Sequence, residues 1–216
     1  MNLINKYKAV LFDMDGVLLD SEDVYVETLQ CYLKRKGYDV PKINLVNYLG
    51  KPLKAISELL IHDYQLDIQL EECMKEQIEI YDKIFFEPGR LCAMPYVEAV
   101  LDYLDQQHIL KAVVSSSSLE GIHLSLNHIK LIDRFDELIS TQCVERGKPF
   151  GDVYLYAAKR LNVLPEECLV IEDSFAGIEA AREAGMNVIA YKGGSVEQDT
   201  SKADKEINSF SELLEV

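Results

Sequence analysis

Five short runs of largely apolar residues, Ala9 to Phe12, Lys111 to Val114, Glu137 to Ser140, Cys168 to Ile171 and Asn187 to Tyr191, recur along this chain with longer helical patterns between most of them. Continuous apolar character suits strands covered on both faces, so the alternation predicts an α/β fold whose parallel sheet carries helices on both sides. Tyr96 to Gln107 repeats apolar residues at Val97, Val100, Leu101 and Leu104, and Asp152 to Leu161 does so at Val153, Tyr156, Ala157 and Leu161. Both stripes should lie on the sheet. Ser174 to Ala184 is small and Ala-rich and stops at Gly185, while Ser209 with Glu212 reads as a capping box opening a terminal helix.

The interval from about Asp20 to Cys92 breaks the alternation. Leu29, Tyr32 and Leu33 precede a stop at Gly37; Leu53, Ile56, Leu59 and Leu60 follow Pro52; Leu70, Met74, Ile78, Tyr81 and Phe85 make a third helical stripe, and Pro88-Gly89 lies near the return. This predicts an all-helical insert, residues 20–92, carried by a core domain of residues 1–19 and 93–216. An insert leaving beside the end of the first strand is placed to act as a lid. Tyr25, Tyr81, Tyr96 and Tyr103 fall mainly on helical stripes and are read as core, and His62, His108, His123 and His128 lack metal-ligand spacing.

In an open parallel sheet ligands sit outside the carboxyl ends of the strands, and four of the five predicted strands lead into polar groups there. Asp13-Met14-Asp15-Gly16 follows the first, Ser115 the second, Gly147-Lys148-Pro149 comes after the third, and Glu172-Asp173-Ser174 after the fourth. Two carboxylates as close as Asp13 and Asp15 are costly to ionise together without a cation, which a bound Mg²⁺ would supply. Asp13 could then attack phosphorus, while Asp15 protonates the leaving oxygen and afterwards activates water. A calcium loop starting at Asp13 fails because its fifth and twelfth positions are Val17 and Val24. Ser115, with Ser116 beside it, can offer a hydroxyl and backbone N–H groups to phosphate oxygens, and Lys148 a point charge. Glu172 and Asp173 can complete the oxygen shell of Mg²⁺, although helix capping alone would also place an acid or serine there.

A net charge of −15 gives the chain no long-range attraction to nucleic acid or to an anionic membrane. Five scattered cysteines, none in a C-x-x-C arrangement, suggest neither a disulfide framework nor a zinc site and fit a reducing cytoplasm. No stretch approaches the 18 apolar residues or so of a membrane span, and the expected partner is a small phosphorylated molecule met by a monomer.

Taken in order, Leu11-Phe12-Asp13-Met14-Asp15-Gly16-Val17-Leu18-Leu19-Asp20-Ser21-Glu22, Val113-Val114-Ser115-Ser116-Ser117, Gly147-Lys148-Pro149 and Ile171-Glu172-Asp173-Ser174-Phe175-Ala176-Gly177 resemble the haloacid dehalogenase-like hydrolase superfamily. Within it they resemble the branch of the β-phosphoglucomutase-like phosphatases. The resemblance implies a Rossmann-like core with a helical cap that closes over substrate, Asp13 as nucleophile and Asp15 as acid/base. It also implies Ser115 and Lys148 on the phosphate, with Mg²⁺ on Asp13, the Asp15 backbone and Asp173 and with Glu172 beside it. The segment Phe150-Gly151-Asp152 departs from the usual Pro-x-Pro-Asp run after the lysine. Mutases of the branch tend to carry a histidine and a cap arginine where this chain has Tyr25 and Leu53, with Lys51 and Lys54 as the nearby cations. Hydrolysis of a sugar phosphate is therefore expected, with a phosphosugar mutase as the alternative. A non-enzymatic receiver domain, also built on an acceptor aspartate, is disfavoured by the length of 216 residues.

Overall fold

In a computed structural model, which describes residues 3–48, 51, 53–87, 89–194 and 198–215, the five apolar runs are strands of one parallel sheet. They are β1 (Ala9–Phe12), β2 (Leu110–Ser115), β3 (Glu137–Ser140), β4 (Cys168–Glu172) and β5 (Asn187–Tyr191). A sixth strand, β6 (Lys205–Ile207), pairs parallel to β5 at the sheet edge. It escaped the sequence reading because its Lys-Glu-Ile has one apolar side chain, which is all a short edge strand has to bury.

The strand order is β3-β2-β1-β4-β5-β6. The chain begins in the middle, steps outward through β2 and β3, and returns to β4 on the other flank of β1. Strand order therefore reverses beside β1, which opens a crevice at the carboxyl edge. Phe12 stands level with Val113 and with Ile171, so Asp13, Val114 and Glu172 come next on three adjacent strands.

Period-two alternation divides β1 between two faces. Ala9 and Leu11 join Val153, Tyr154 and Ala157 of one helix and Ile178 and Ala181 of another in one core. Phe12 points to the opposite face, where its ring lies 6.0 Å from that of Phe135 and 6.4 Å from that of Phe210. The helices of this unit are α4 (Val97–Gln106), α5 (Leu119–His128), α6 (Asp152–Leu161) and α7 (Phe175–Glu183). The capping box of Ser209 and Glu212 is present, but it opens a single 3-10 turn, Phe210–Leu213, in place of the terminal α-helix expected.

The chain forms two compact units, Met1–Asp20 with Cys92–Val216, and Ser21–Leu91. In the first, Leu19 bridges Ala93 and the N–H of Met94 donates to the carbonyl of Leu18 at 2.8 Å, so the outgoing and returning segments run side by side. The second unit holds α1 (Glu22–Arg35), α2 (Leu53–Asp63) and α3 (Leu70–Phe85). Gly37 adopts the left-handed conformation, φ 92°, that stops the first helix there. Arg90 donates to Asp23 Oδ2 at 2.6 Å and to Glu27, tying the end of the unit back to its first helix. Pro52 and Pro88, invoked at the second helix start and at the return, lie outside the described residues.

Two sequence expectations are corrected. The buried line of α3 is Cys73, Gln77, Ile80 and Ile84 with Phe85, while Ile78 of the expected stripe is 46% exposed. Sequence periodicity pointed one residue off because the buried line includes a glutamine. Tyr25 and Tyr96 are not core: Tyr25, on α1, is 37% exposed, and Tyr96 is 58% exposed and stands before α4 with a left-handed φ of 67°.

Candidate active site

Asp13 leaves β1 with its N–H donating to the Ile171 carbonyl at 2.9 Å, which extends the ladder to β4 by one rung and fixes the carboxylate at the sheet edge. The chain then turns back sharply. Gly16 has φ 79°, and a Cβ on it would lie 2.1 Å from Asp173 Oδ2, so glycine is required there both for the turn and for the close approach of Asp173.

Lys148 reaches into this edge from the loop between β3 and α6, its side chain 5% exposed. Its Nζ donates to Asp13 Oδ1 at 2.5 Å, to Glu172 Oε1 at 2.7 Å and to the Val114 carbonyl at 3.1 Å. The three donors of one ammonium are thus spent on the three central strands.

Glu172 is wholly buried. Oε1 accepts from Lys148 and, at 3.2 Å, from the Tyr154 hydroxyl; Oε2 accepts from Asp173 N, Ser174 N and Ser174 Oγ, each at 2.9 Å. Ser174 also caps α7, its Oγ accepting from Gly177 N at 3.1 Å, which answers the capping alternative: Ser174 caps, and its hydroxyl proton goes to Glu172. Gly177 leaves room for the carboxylate, because a Cβ there would fall 1.6 Å from Glu172 Oε1.

Charge follows from these contacts. Burial pushes Asp13 up to about 8, with Lys148 opposing and Glu172 and Asp15 reinforcing. Burial pushes Glu172 the same way, yet the Lys148 ammonium and the bonds from Ser174 outweigh it and hold the carboxyl below its usual range. Lys148, although burial works against its charge, is held well above its ordinary value by Asp13 and Glu172.

Asp13, Glu172 and Asp173 are all buried, and one carboxylate oxygen of each lies within 4.8 Å of the others. Three carboxyls against one ammonium leave a deficit of positive charge in a buried place, and the donor set is all hard oxygen. Both features fit Mg²⁺.

Of the other expected residues, Ser115 is buried at the end of β2 and Ser116 is exposed. Ser115 Oγ accepts from the Ser117 N–H at 3.0 Å, which leaves its own proton to donate outward. Asp15 Oδ2 accepts from Ser117 Oγ at 3.3 Å. Lys51 and Lys54 belong to the helical unit, where both are exposed and Lys51 Nζ donates to the Asn47 carbonyl. Ser117 and Tyr154 were missed. A run of four serines does not say which one faces a carboxylate, whereas Tyr154 was legible in principle, at positions 154, 157, 158 and 161 of a buried helical line.

A model of the haloacid dehalogenase-like hydrolases matches residues 10–191. The phosphorylated carbohydrates phosphatase of Thermotoga maritima is 31% identical over 182 residues, covering 84% of this chain and 83% of that protein. The fructose-1-phosphate phosphatase of Escherichia coli is 28% identical over 189 residues, covering 87% and 97%. Among solved structures, a hydrolase of this family from Deinococcus radiodurans with bound phosphate and sodium has a TM-score of 0.82 at 25% identity, covering 97% of this chain and 94% of that one. The four strand-end stations and this agreement along nearly the whole chain make it a member of the haloacid dehalogenase-like hydrolase family, in its phosphatase branch.

Proposed function

We propose that the chain is a Mg²⁺-dependent phosphatase that hydrolyses a small sugar phosphate through an aspartyl phosphate on Asp13. The observation that carries this reading is the buried Lys148 bridging Asp13 and Glu172 at the carboxyl edge of the sheet. An ammonium so placed can meet a phosphate oxygen by giving up its 3.1 Å bond to the Val114 carbonyl while keeping the nucleophile, and the names of the phosphatase relatives support a carbohydrate ester as substrate.

In the first half-reaction an Asp13 oxygen bonds to phosphorus as the bond to the leaving oxygen breaks, and Asp15 gives that oxygen its proton. In the second, Asp15 takes a proton from water, whose oxygen bonds to phosphorus and releases phosphate from Asp13. Lys148 and the Ser115 hydroxyl hold the phosphoryl oxygens, and Ser116 lends its backbone N–H. Asp13, Asp173 and the Asp15 carbonyl would hold Mg²⁺ directly; Glu172, its oxygens already accepting five bonds, acts beside it by fixing Lys148. When bound, the cation neutralises the substrate phosphate and keeps Asp13 ionised. Residues 20–92 act as the lid, with Lys51 and Lys54 reading the far end of the substrate. None of the five cysteines is in a disulfide among the described residues, and the setting proposed for the enzyme is a reducing cytoplasm.

The test is Asp13→Asn. It should abolish turnover of sugar phosphates by several decades while leaving the thermal transition in place, and activity within about tenfold of wild type would end the assignment.

A further inference from the structure

The loop after β2 contains four consecutive serines, Ser115 to Ser118, with different roles. Ser118 caps α5, its Oγ accepting from Gly121 N at 3.1 Å. Ser115 and Ser140 are register partners on β2 and β3 and are both buried. Each holds one side of the same residue: Ser115 Oγ accepts from the N–H of Ser117 at 3.0 Å, and Ser140 Oγ donates to the carbonyl of Ser117 at 2.6 Å. Ser140 Oγ also accepts from Gln142 N at 3.1 Å, so its rotamer is fixed from both directions. Ser117 is therefore pinned at its N–H and its C=O by two strands, and its hydroxyl lies 3.3 Å from Asp15 Oδ2.

We propose that Ser117 is a positioning residue for Asp15, and that Ser140 acts through it. The hydroxyl on Oδ2 fixes the plane in which the Asp15 carboxyl faces the leaving oxygen. This deepens the phosphatase reading above and rests on it. In the first half-reaction the O–H bond of the Asp15 carboxyl breaks and its proton goes to the leaving oxygen as the phosphorus–oxygen bond to that oxygen breaks. Ser117 donates to the carboxylate that remains. In the second half, the carboxylate takes a proton from water as the water oxygen bonds to phosphorus and the bond from phosphorus to Asp13 breaks. A serine that only shaped the loop would affect every substrate alike, whereas one that directs the proton matters where the leaving oxygen needs that proton.

The experiment compares Ser117→Ala, Ser117→Thr, Ser140→Ala and the double S117A/S140A enzyme, all with Mg²⁺ present, on a hexose phosphate and on p-nitrophenyl phosphate. S117A should lower kcat about tenfold or more on the hexose phosphate and under about threefold on the aryl ester, with little change in KM. Ser117→Thr, which keeps the hydroxyl, should return to within about threefold of wild type. S140A should show the same substrate split, and the double variant should be no worse than S117A, since groups acting through one another are not additive. Equal losses on the two substrates, no loss in S117A, or additive losses in the double variant would overturn the proposal. Thermal unfolding is followed throughout. Should S117A not fold, S140A, which leaves every atom of Ser117 in place, decides by the same split. Wild-type enzyme that hydrolyses neither ester would overturn the phosphatase reading itself, an outcome distinct from an active wild type whose variants show no split.

Discussion

Asp13 and Glu172 share one ammonium, yet they differ in charge because they differ in donors. Glu172 accepts five hydrogen bonds and stays ionised; Asp13, with fewer, is pushed by burial up to about 8 against the opposition of Lys148. The folded chain thus binds a proton on Asp13 that the unfolded chain has lost above about pH 4. A raised carboxyl contributes stability at low pH that is lost as pH climbs toward 8, by at most about 1.4 kcal/mol per pH unit for one proton. Metal-free enzyme should therefore lose Tm between pH 5 and pH 8.5, and Asp13→Asn should flatten that fall. Added Mg²⁺ should restore Tm at the alkaline end, and a variant that keeps the wild-type slope would show that Asp13 is not the titrating group. Gly177→Ala makes a second prediction. Its methyl must displace a Glu172 side chain fixed by five bonds, so Lys148 loses its anchor: Tm should fall because a buried charge network is broken, and kcat of the enzyme that is still folded should fall tenfold or more; unchanged kcat would mean Glu172 has room to move. The three clustered carboxylates, Asp13, Glu172 and Asp173, were legible because each stands at the end of an apolar strand. Ser117 was not, since its role depends on Ser140, twenty-three residues away on a neighbouring strand.

Elements were legible in proportion to how completely burial wrote them into the sequence. β1, covered on both faces, reads Ala-Val-Leu-Phe and was found at its true bounds, while β6, with two charged residues in three, had no such signal. The helical unit shows the intermediate case. All three of its helices were found, but the face of α3 was misplaced because Gln77 occupies the buried line. Its amide Nε2 donates to Ser57 Oγ on α2 at 2.7 Å and to the Cys73 carbonyl at 3.2 Å, and Ser57 Oγ donates to the Leu53 carbonyl at 2.9 Å. A polar link between two helices is satisfied only as a pair. Ser57→Ala should cost about 1 kcal/mol by removing the shortest of the amide's bonds and leaving its protons only the Cys73 carbonyl and, at 3.2 Å, Cys73 Sγ, and adding Gln77→Leu should recover part of that loss. Chemical denaturation measures both; a double variant whose loss equals the sum of the singles would show that the two side chains do not act together.

For the molecule as a whole, a net charge of −15 must be reconciled with an anionic substrate. In the proposed reaction the phosphoryl end is met by Lys148 and by the cation that the carboxylates would hold, but the rest of the substrate needs other contacts. The helical unit is the natural source. It is spliced into the chain between β1 and β2, a few residues after Asp13, and its two connections run side by side where Leu19 bridges Ala93. An insert joined by two neighbouring segments can move as a body, and the lid proposed above would exclude water on closing. Its Lys51 and Lys54 flank Leu53, the position expected from the resemblance to carry an arginine in mutases of this branch, and both lysine side chains are exposed. Replacing both lysines by Ala should therefore raise KM for a hexose phosphate about tenfold while barely changing hydrolysis of p-nitrophenyl phosphate, which has no remote polar part to read. Because the binding energy in question comes from outside the reacting group, the loss should appear in KM before kcat. If instead kcat fell on both esters with KM fixed, the lysines would be acting on closure itself, and recognition of the sugar would have to come from other side chains of the insert.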